Sequence, residues 1–282
     1  MAISFSHLTN AHITTRLGIS MVISHILSLE SLVNGISQGA GIYLNKPIKD
    51  IMTAWDVSLL VDMLTAVERS FNKSPEARTR TIVDLLIIDI VRFCDRNSIE
   101  AAVFPEFPIS QAEHTPGMVM HSEKYITYLT GTADYASVTS TSMNKRTELR
   151  IAETIPGGSD TPSTWEKFPR AVQGLPINIT ELKKKGVELR NHLPQAVGEC
   201  VALRSKASDR FPMHIVPFCL TTGERWIFGI VDCSEEDNKR CLTTPEFSVD
   251  MMDTRAVKNI LILLFFWATE DASVLLRRIS DQ

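Results

Sequence analysis

Apolar residues recur with a helical period near the start of this chain and with strand-like runs later on. In the early part, an apolar side chain stands at every fourth residue, the spacing of one helix face. These residues are Ile51, Trp55, Leu59, Met63 and Val67. We therefore expect residues 1–72 to form a helical N-terminal extension, and residues 73–282 to form the main domain.

A long helix is predicted at the start of the main domain. Ser74 can cap it, Pro75 suits its first position, and Glu76 is favoured by the positive end of the helix dipole. The apolar run over residues 82–91 continues on nearly all sides of the helix, as expected for a helix packed across a sheet. The helix should end near residue 95.

Strand patterns follow the helix. Runs rich in β-branched and aromatic residues predict strands over residues 101–109, 125–139 and 177–184, and a hairpin over 213–221 and 225–232. A helix is expected over 192–206, and another over about 255–280. Residues 140–176 are rich in Ser, Thr, Gly and Pro, which predicts a long insertion. The pattern indicates an α/β fold with a sheet flanked by helices.

Composition places the chain among globular proteins without a membrane span. It has 282 residues, of which 44% are hydrophobic and 22% are charged. The apolar run over 260–268 is much shorter than the roughly 20 residues that a spanning helix needs. The first ten residues lack the features of a signal peptide. We expect an intracellular protein, in the nucleus or the cytoplasm.

The net charge and the cysteine and histidine spacing limit which ligands the chain is expected to bind. The net charge is −4, so any contact with nucleic acid must be local. The five cysteines form no C-x-x-C pair, and the seven histidines form no H-x-x-x-H pair, which disfavours zinc sites. We expect the cysteines to be buried thiols.

Two acids and a lysine carry the strongest chemical signal. Asp134 lies in one predicted strand, and Glu181 and Lys183 end the next one. Carboxylates of this kind can hold Mg²⁺, and a nearby lysine can steady the attacking water or the developing negative charge. Side chains alternate along a strand, so Glu181 and Lys183 should share one face while Leu182 points into the core.

Four segments give these residues a family context: GTADYASV, ITELKKKG, LPQAVGEC and VPFCLTTGERWIFGIV. With them, residues 76–232 resemble the PD-(D/E)XK nuclease superfamily. More narrowly, they look like the restriction-endonuclease-like domains of uncharacterised fungal proteins, some attached to crinkler-type effectors. The resemblance implies a restriction-endonuclease-like core with the element order αβββαβ. It also implies a metal-dependent endonuclease that hydrolyses phosphodiester bonds, with DNA expected before RNA as substrate.

The resemblance also implies roles for single residues. Asp134 and Glu181 would bind Mg²⁺ or Mn²⁺ together with the backbone carbonyl of Leu182. Lys183 would complete the catalytic set, and Gln195 would position Lys183 or the nucleophile from the next helix. Hard oxygen ligands at an open site suit these metals, which keep several bound waters.

Further residues are candidates around this set. Glu76 matches an additional helix carboxylate of the superfamily and could bind a second metal. Lys184 and Lys185 continue the lysine run and could contact substrate phosphates without reading the sequence. Arg78 and its neighbour Arg80 are candidates for the same role, although an exposed helix face explains both equally well.

Two alternatives concern the choice of acids. Glu148, in Glu148-Leu149-Arg150, has a more conventional spacing from Asp134, but it has arginine in the lysine position and no flanking strand. We prefer Glu181, because a strand-like run precedes it and Gln195 follows it. Glu106 joins the site if its strand borders Asp134.

The function also has an alternative. The acidic balance and the long separation of Asp134 from Glu181 favour, to some extent, a degenerate nuclease scaffold that serves as a binding or effector module. The helical extension could mediate a homodimer, because an endonuclease that cuts two strands often needs two sites.

Overall fold

The structure is a computed structural model that describes residues 2–26, 28–37, 50, 53–71, 76–110, 119–122, 125–140, 177–206 and 213–280. The helices are α1 Leu29–Ser37, α2 Ser58–Ser70, α3 Glu76–Arg96, α4 Leu193–Lys206, α5 Thr254–Thr269 and α6 Ala272–Ser280. The strands are β1 Ala2–Ser4, β2 Ser20–Ile23, β3 Glu100–Ser110, β4 Val119–Ser122, β5 Tyr125–Ser140, β6 Ile177–Leu182, β7 Ile215–Thr221, β8 Arg225–Asp232, β9 Arg240–Thr243 and β10 Phe247–Ser248. Short helical turns lie at Phe5–His7, His12–Arg16 and Leu189–His192.

The strands form a mixed sheet with the order β1-β5-β6-β7-β8-β9-β2, and β3, β4 and β10 pair at its sides. Strand β5 is antiparallel to β3 and β6, while β6 is parallel to β7, to which α4 connects it. Strand β8 is antiparallel to both β7 and β9. The predicted α/β class, with a sheet flanked by helices, is confirmed.

Two hydrophobic cores cover the two faces of the sheet. The first contains residues of α1, α2, α3, α5 and α6, and the second contains α4 and the segment before β2. Alternation along β8 separates them, because Trp226 and Phe228 face the first core while Ile227 and Val231 face the second. Helix α4 therefore lies on the opposite face from α3.

Most of the predicted elements in residues 76–232 are confirmed within a few residues. The predicted single helix over 255–280 is wrong, because it breaks into α5 and α6 at Glu270 and Asp271. Helix α5 starts where the Asp253 side chain accepts a hydrogen bond from the Arg255 backbone N–H. All five cysteines are buried, as predicted.

The N-terminal part differs from the helical prediction. Strands β1 and β2 lie within it, and they pair with β5 and β9. The expected four-residue stripe is confirmed only in part, since Val67 is buried on α2 with Leu60 and Leu64, whereas Leu59 is 60% exposed. Trp55 lies before α2 begins at Ser58, so the spacing that starts at Trp55 does not continue along one helix face.

Several predictions fall outside the described residues. The capping residues Ser74 and Pro75, the insertion over 141–176 and the alternative acid Glu148 all belong to this part of the chain. Within the described residues, no helix combines the length and the apolar character that crossing a membrane requires.

Candidate active site

The two predicted acids meet at the end of the β5–β6 ladder. Tyr135 of β5 pairs with Thr180 of β6, so Asp134 and Glu181 occupy the next positions on the two antiparallel strands. The Leu182 backbone N–H donates a hydrogen bond of 2.7 Å to Asp134 Oδ2. This contact ties the Asp134 carboxylate to the strand that carries Glu181.

Glu181, Lys183 and Gln195 form a closed hydrogen-bonded triangle. Lys183 Nζ donates to Glu181 Oε1 at 2.6 Å and to Gln195 Oε1 at 2.9 Å. Gln195 Nε2 donates to Glu181 Oε1 at 2.5 Å. Leu182 is buried in the core that contains α3, on the other face of the sheet from Gln195 and α4. The predicted alternation of Glu181, Leu182 and Lys183 is therefore confirmed.

A second buried acid, Glu199, lies one turn after Gln195 on α4. Gln195 Nε2 donates a hydrogen bond of 3.0 Å to Glu199 Oε1. Glu199 is fully buried, and within the described residues neither its Oε2 nor Glu181 Oε2 has a hydrogen-bond partner. Sequence reasoning missed Glu199, although its four-residue spacing from Gln195 places both on one helix face.

Both buried acids, Glu181 and Glu199, have raised pKa values. Burial, followed by the charge of Asp134, raises the pKa of Glu181 to about 7, while Lys183 acts in the opposite direction. Burial and then Glu181 raise the pKa of Glu199 well above its ordinary value. Negative charge on these groups is therefore costly without a further cation nearby.

Arg80 reaches this site from α3, on the other face of the sheet. Its Nη2 donates a hydrogen bond of 3.0 Å to Asp134 Oδ1, and its Nη1 lies 3.7 Å from Glu106 Oε1. Glu106 lies between the β3 partners of Tyr135 and Ala133, so its strand does border Asp134. Its backbone adopts a left-handed φ of 49°, which is uncommon for a residue other than glycine.

Of the other residues predicted to contact phosphate, Arg78 is buried, whereas Lys184 and Lys185 are exposed. Arg78 is 1% exposed and binds Glu68 and Glu224, so its predicted contact with substrate is wrong. It is two residues from Arg80 and therefore points away from the site across the helix. Lys184 is exposed after β6, while Lys185 binds Glu224 at 2.8 Å and stays 40% exposed.

Glu76 is exposed in the first turn of α3. It precedes Arg80 by one helical turn, a spacing that places the two side chains on the same face. Its role as a further metal ligand stays a prediction.

The donor set fits a hard divalent cation in type. Asp134 and Glu181 supply carboxylate oxygens, and Glu181 Oε2 lacks a partner among the described residues. These are the ligands that Mg²⁺ and Mn²⁺ prefer. Within the described ranges, no group of three or more His, Cys, Asp and Glu side chains could hold a metal. A cation here would need the Leu182 carbonyl and waters as its other ligands.

Comparison with protein-family models gives no match for this chain, and no curated protein matches it.

Proposed function

We propose that this protein is a metal-dependent endonuclease of the PD-(D/E)XK type, which hydrolyses phosphodiester bonds, with DNA expected before RNA as its substrate. The observation that carries the proposal is the contact of Lys183 with Glu181 and Gln195, beside Asp134. The element order α3-β3-β5-β6-α4-β7 is compatible with a restriction-endonuclease-like core to which β4 is added.

Asp134, Glu181 and the Leu182 carbonyl would hold Mg²⁺ or Mn²⁺, with Glu76 as a candidate for a further ligand. A bound cation would polarise the phosphate and lower the pKa of water. The Lys183 ammonium has three N–H donors, of which Glu181 and Gln195 take two. The third can orient the attacking water or stabilise charge on the phosphate.

Gln195 would keep this lysine in place. Its amide oxygen accepts from Lys183 and its amide nitrogen donates to Glu181, so one side chain orients both partners. Lys184 and Lys185 lie directly after the strand and would bind neighbouring phosphates of the substrate backbone.

The test is cleavage of single-stranded DNA, duplex DNA and RNA by the full chain with Mg²⁺ or Mn²⁺. We expect Asp134→Ala and Lys183→Met to lower the cleavage rate by about 100-fold or more, because each removes a group that acts on the reacting phosphate. Chelator should stop cleavage by the unaltered protein. Glu188→Gln, an exposed substitution after the lysine run, serves as the control and should cut normally.

Cutting that persists with chelator, or in Asp134→Ala, would contradict the proposal. The three substrates, compared at equal concentration, decide between DNA and RNA. Faster cleavage of RNA would overturn the substrate preference alone.

A second candidate function is a binding or effector module on a degenerate nuclease scaffold. The observation that favours it is the ion pair of Arg80 with Asp134, in which a protein cation takes the place expected for a metal. In that case neither Mg²⁺ nor Mn²⁺ would raise the melting temperature, and Asp134→Ala would still bind nucleic acid or a protein partner.

A further inference from the structure

We propose that Arg80 is a further phosphate-binding residue of this site, and that without metal its guanidinium stays bound to the Asp134 carboxylate. Metal binding would then release Arg80 toward the substrate. The inference rests on the proposed function and deepens it, because it names a residue that couples metal binding to substrate binding.

Arg80 is partly exposed, and its two terminal nitrogens are not paired equally closely. The Arg80 side chain is 31% exposed and that of Asp134 is 18% exposed, so both partners of the ion pair are partly exposed to solvent. Asp134 binds one terminal nitrogen at 3.0 Å, and Glu106 lies 3.7 Å from the other. The nitrogen on the Glu106 side is therefore the more loosely paired of the two.

The surroundings of Arg80 hold it in a defined orientation. Its guanidinium carbon lies 5.8 Å from the centre of the Tyr135 ring, within the range of a cation–π contact. The Tyr135 hydroxyl donates a hydrogen bond of 2.5 Å to Asp84 Oδ1, and Asp84 is one turn after Arg80 on α3. The ring beside Arg80 is thereby anchored to the helix that carries Arg80.

Arg80 and a divalent cation would compete for the Asp134 carboxylate. Asp134 Oδ2 accepts the Leu182 N–H and Oδ1 accepts from Arg80, so a divalent cation at this carboxylate would share it with the Arg80 guanidinium. Two positive charges at one carboxylate repel each other. A divalent cation at Asp134 and the Arg80 contact therefore oppose each other. By linkage, each weakens the other by the same factor.

The released guanidinium has the right chemistry for the substrate. An arginine presents a planar fork of N–H donors that matches two oxygens of a phosphate, and it stays charged at every physiological pH. Arg78 cannot take this role, because it is buried between Glu68 and Glu224. Arg80 is the arginine that α3 directs toward Asp134.

The test measures Mn²⁺ binding by calorimetry without nucleic acid, and duplex DNA cleavage with saturating Mn²⁺. We expect Arg80→Ala to bind Mn²⁺ about three- to fivefold more tightly, because a partly exposed ion pair no longer competes. We expect its KM for DNA to rise by about tenfold, because a charged hydrogen bond to phosphate is lost. The two effects have opposite signs, which a general loss of structure would not produce.

Two further variants sharpen the experiment. Arg92→Ala removes an exposed arginine that lies three turns further along α3, and both measurements should stay unchanged. Arg80→Lys keeps the charge without the planar fork, so Mn²⁺ binding should return toward that of the unaltered protein while KM stays raised. If Arg80→Ala does not fold, Arg80→Gln takes its place with the same expected results, because glutamine also removes the positive charge.

The outcomes separate the two proposals. Equal Mn²⁺ affinity and equal KM of the unaltered protein, Arg80→Ala and Arg80→Lys would overturn the whole inference and leave the proposed nuclease function standing. A raised KM with unchanged Mn²⁺ binding would overturn the competition. If the unaltered protein binds no Mn²⁺ and cuts no substrate, the proposed function itself fails.

Discussion

At the scale of the residue, the buried acids Glu181 and Glu199 couple stability to pH. The pKa of Glu181 is raised from 4.5 to about 7, and burial raises that of Glu199 as well. Between the ordinary and the raised pKa, the folded chain keeps a proton that the unfolded chain has lost. The contribution of these groups to the free energy of unfolding is therefore full below pH 4.5 and falls as the pH rises through the raised pKa.

The variant Glu199→Gln tests this coupling. Glutamine keeps an oxygen that can accept the Gln195 N–H but cannot ionise, so we expect a higher melting temperature at about pH 8 and a smaller fall in melting temperature from about pH 5. The measurement is thermal unfolding in chelator at both pH values. An exposed carboxyl substitution, Glu188→Gln, should leave the pH difference unchanged. A lower melting temperature of Glu199→Gln at the higher pH would count against the buried charge.

At the scale of the element, strand β5 does most to build the site. Its first residues pair with β1 and β4, and its later ones pair with β3 and β6. Gly131 lies where the pairing changes, with a φ of 145°, and a Cβ there would lie 2.5 Å from Phe5 Cδ2. Both the conformation and the space favour glycine three residues before Asp134.

We expect Gly131→Ala to lower the free energy of unfolding by about 1–3 kcal/mol, because the new methyl group meets Phe5 in an unfavourable backbone conformation. The matched control is Gly186→Ala, where φ is 90° and no atom lies within 4 Å of the new Cβ. Chemical denaturation measures both. A cost for Gly131→Ala no larger than that for Gly186→Ala would show that contact with Phe5 is not limiting.

At the scale of the whole molecule, the N-terminal segment belongs to the sheet and to both cores. Strands β1 and β2 lie at the two ends of the strand order of the sheet. Phe5, Leu8 and Ile13 are buried in the core that also contains α4. Leu32 and Leu60 are buried in the other core. The main domain therefore shares its hydrophobic packing with residues that precede it.

Deletion of residues 1–26 tests this integration. We expect the shortened chain to lose cooperative unfolding, because the deletion removes two strands and uncovers the apolar face of α4. Circular dichroism during thermal unfolding, compared with the full chain, gives the readout. A truncated protein that still unfolds cooperatively at the same temperature would support the N-terminal part as a separate extension. The elution volume of the full chain tests the predicted homodimer.

Local patterns in the sequence determined much of this protein. The long apolar helix α3, the strand runs of β5 to β8 and the alternation of Glu181, Leu182 and Lys183 follow from short-range periodicity. Alternation alone places the glutamate and the lysine on one face of the strand. This inference depends only on the two-residue spacing within the strand and not on residues elsewhere in the chain.

Only the tertiary structure decided which distant side chains meet. Periodicity shows that Arg78 and Arg80 lie on different sides of α3, but which side faces Glu224 and which faces Asp134 depends on how α3 packs across the sheet. The burial of Glu199, and the pairing of β1 and β2 with strands far along the chain, depend on the same long-range packing. Hydrophobic burial and strand pairing act between residues remote in sequence, and no local pattern encodes the partner.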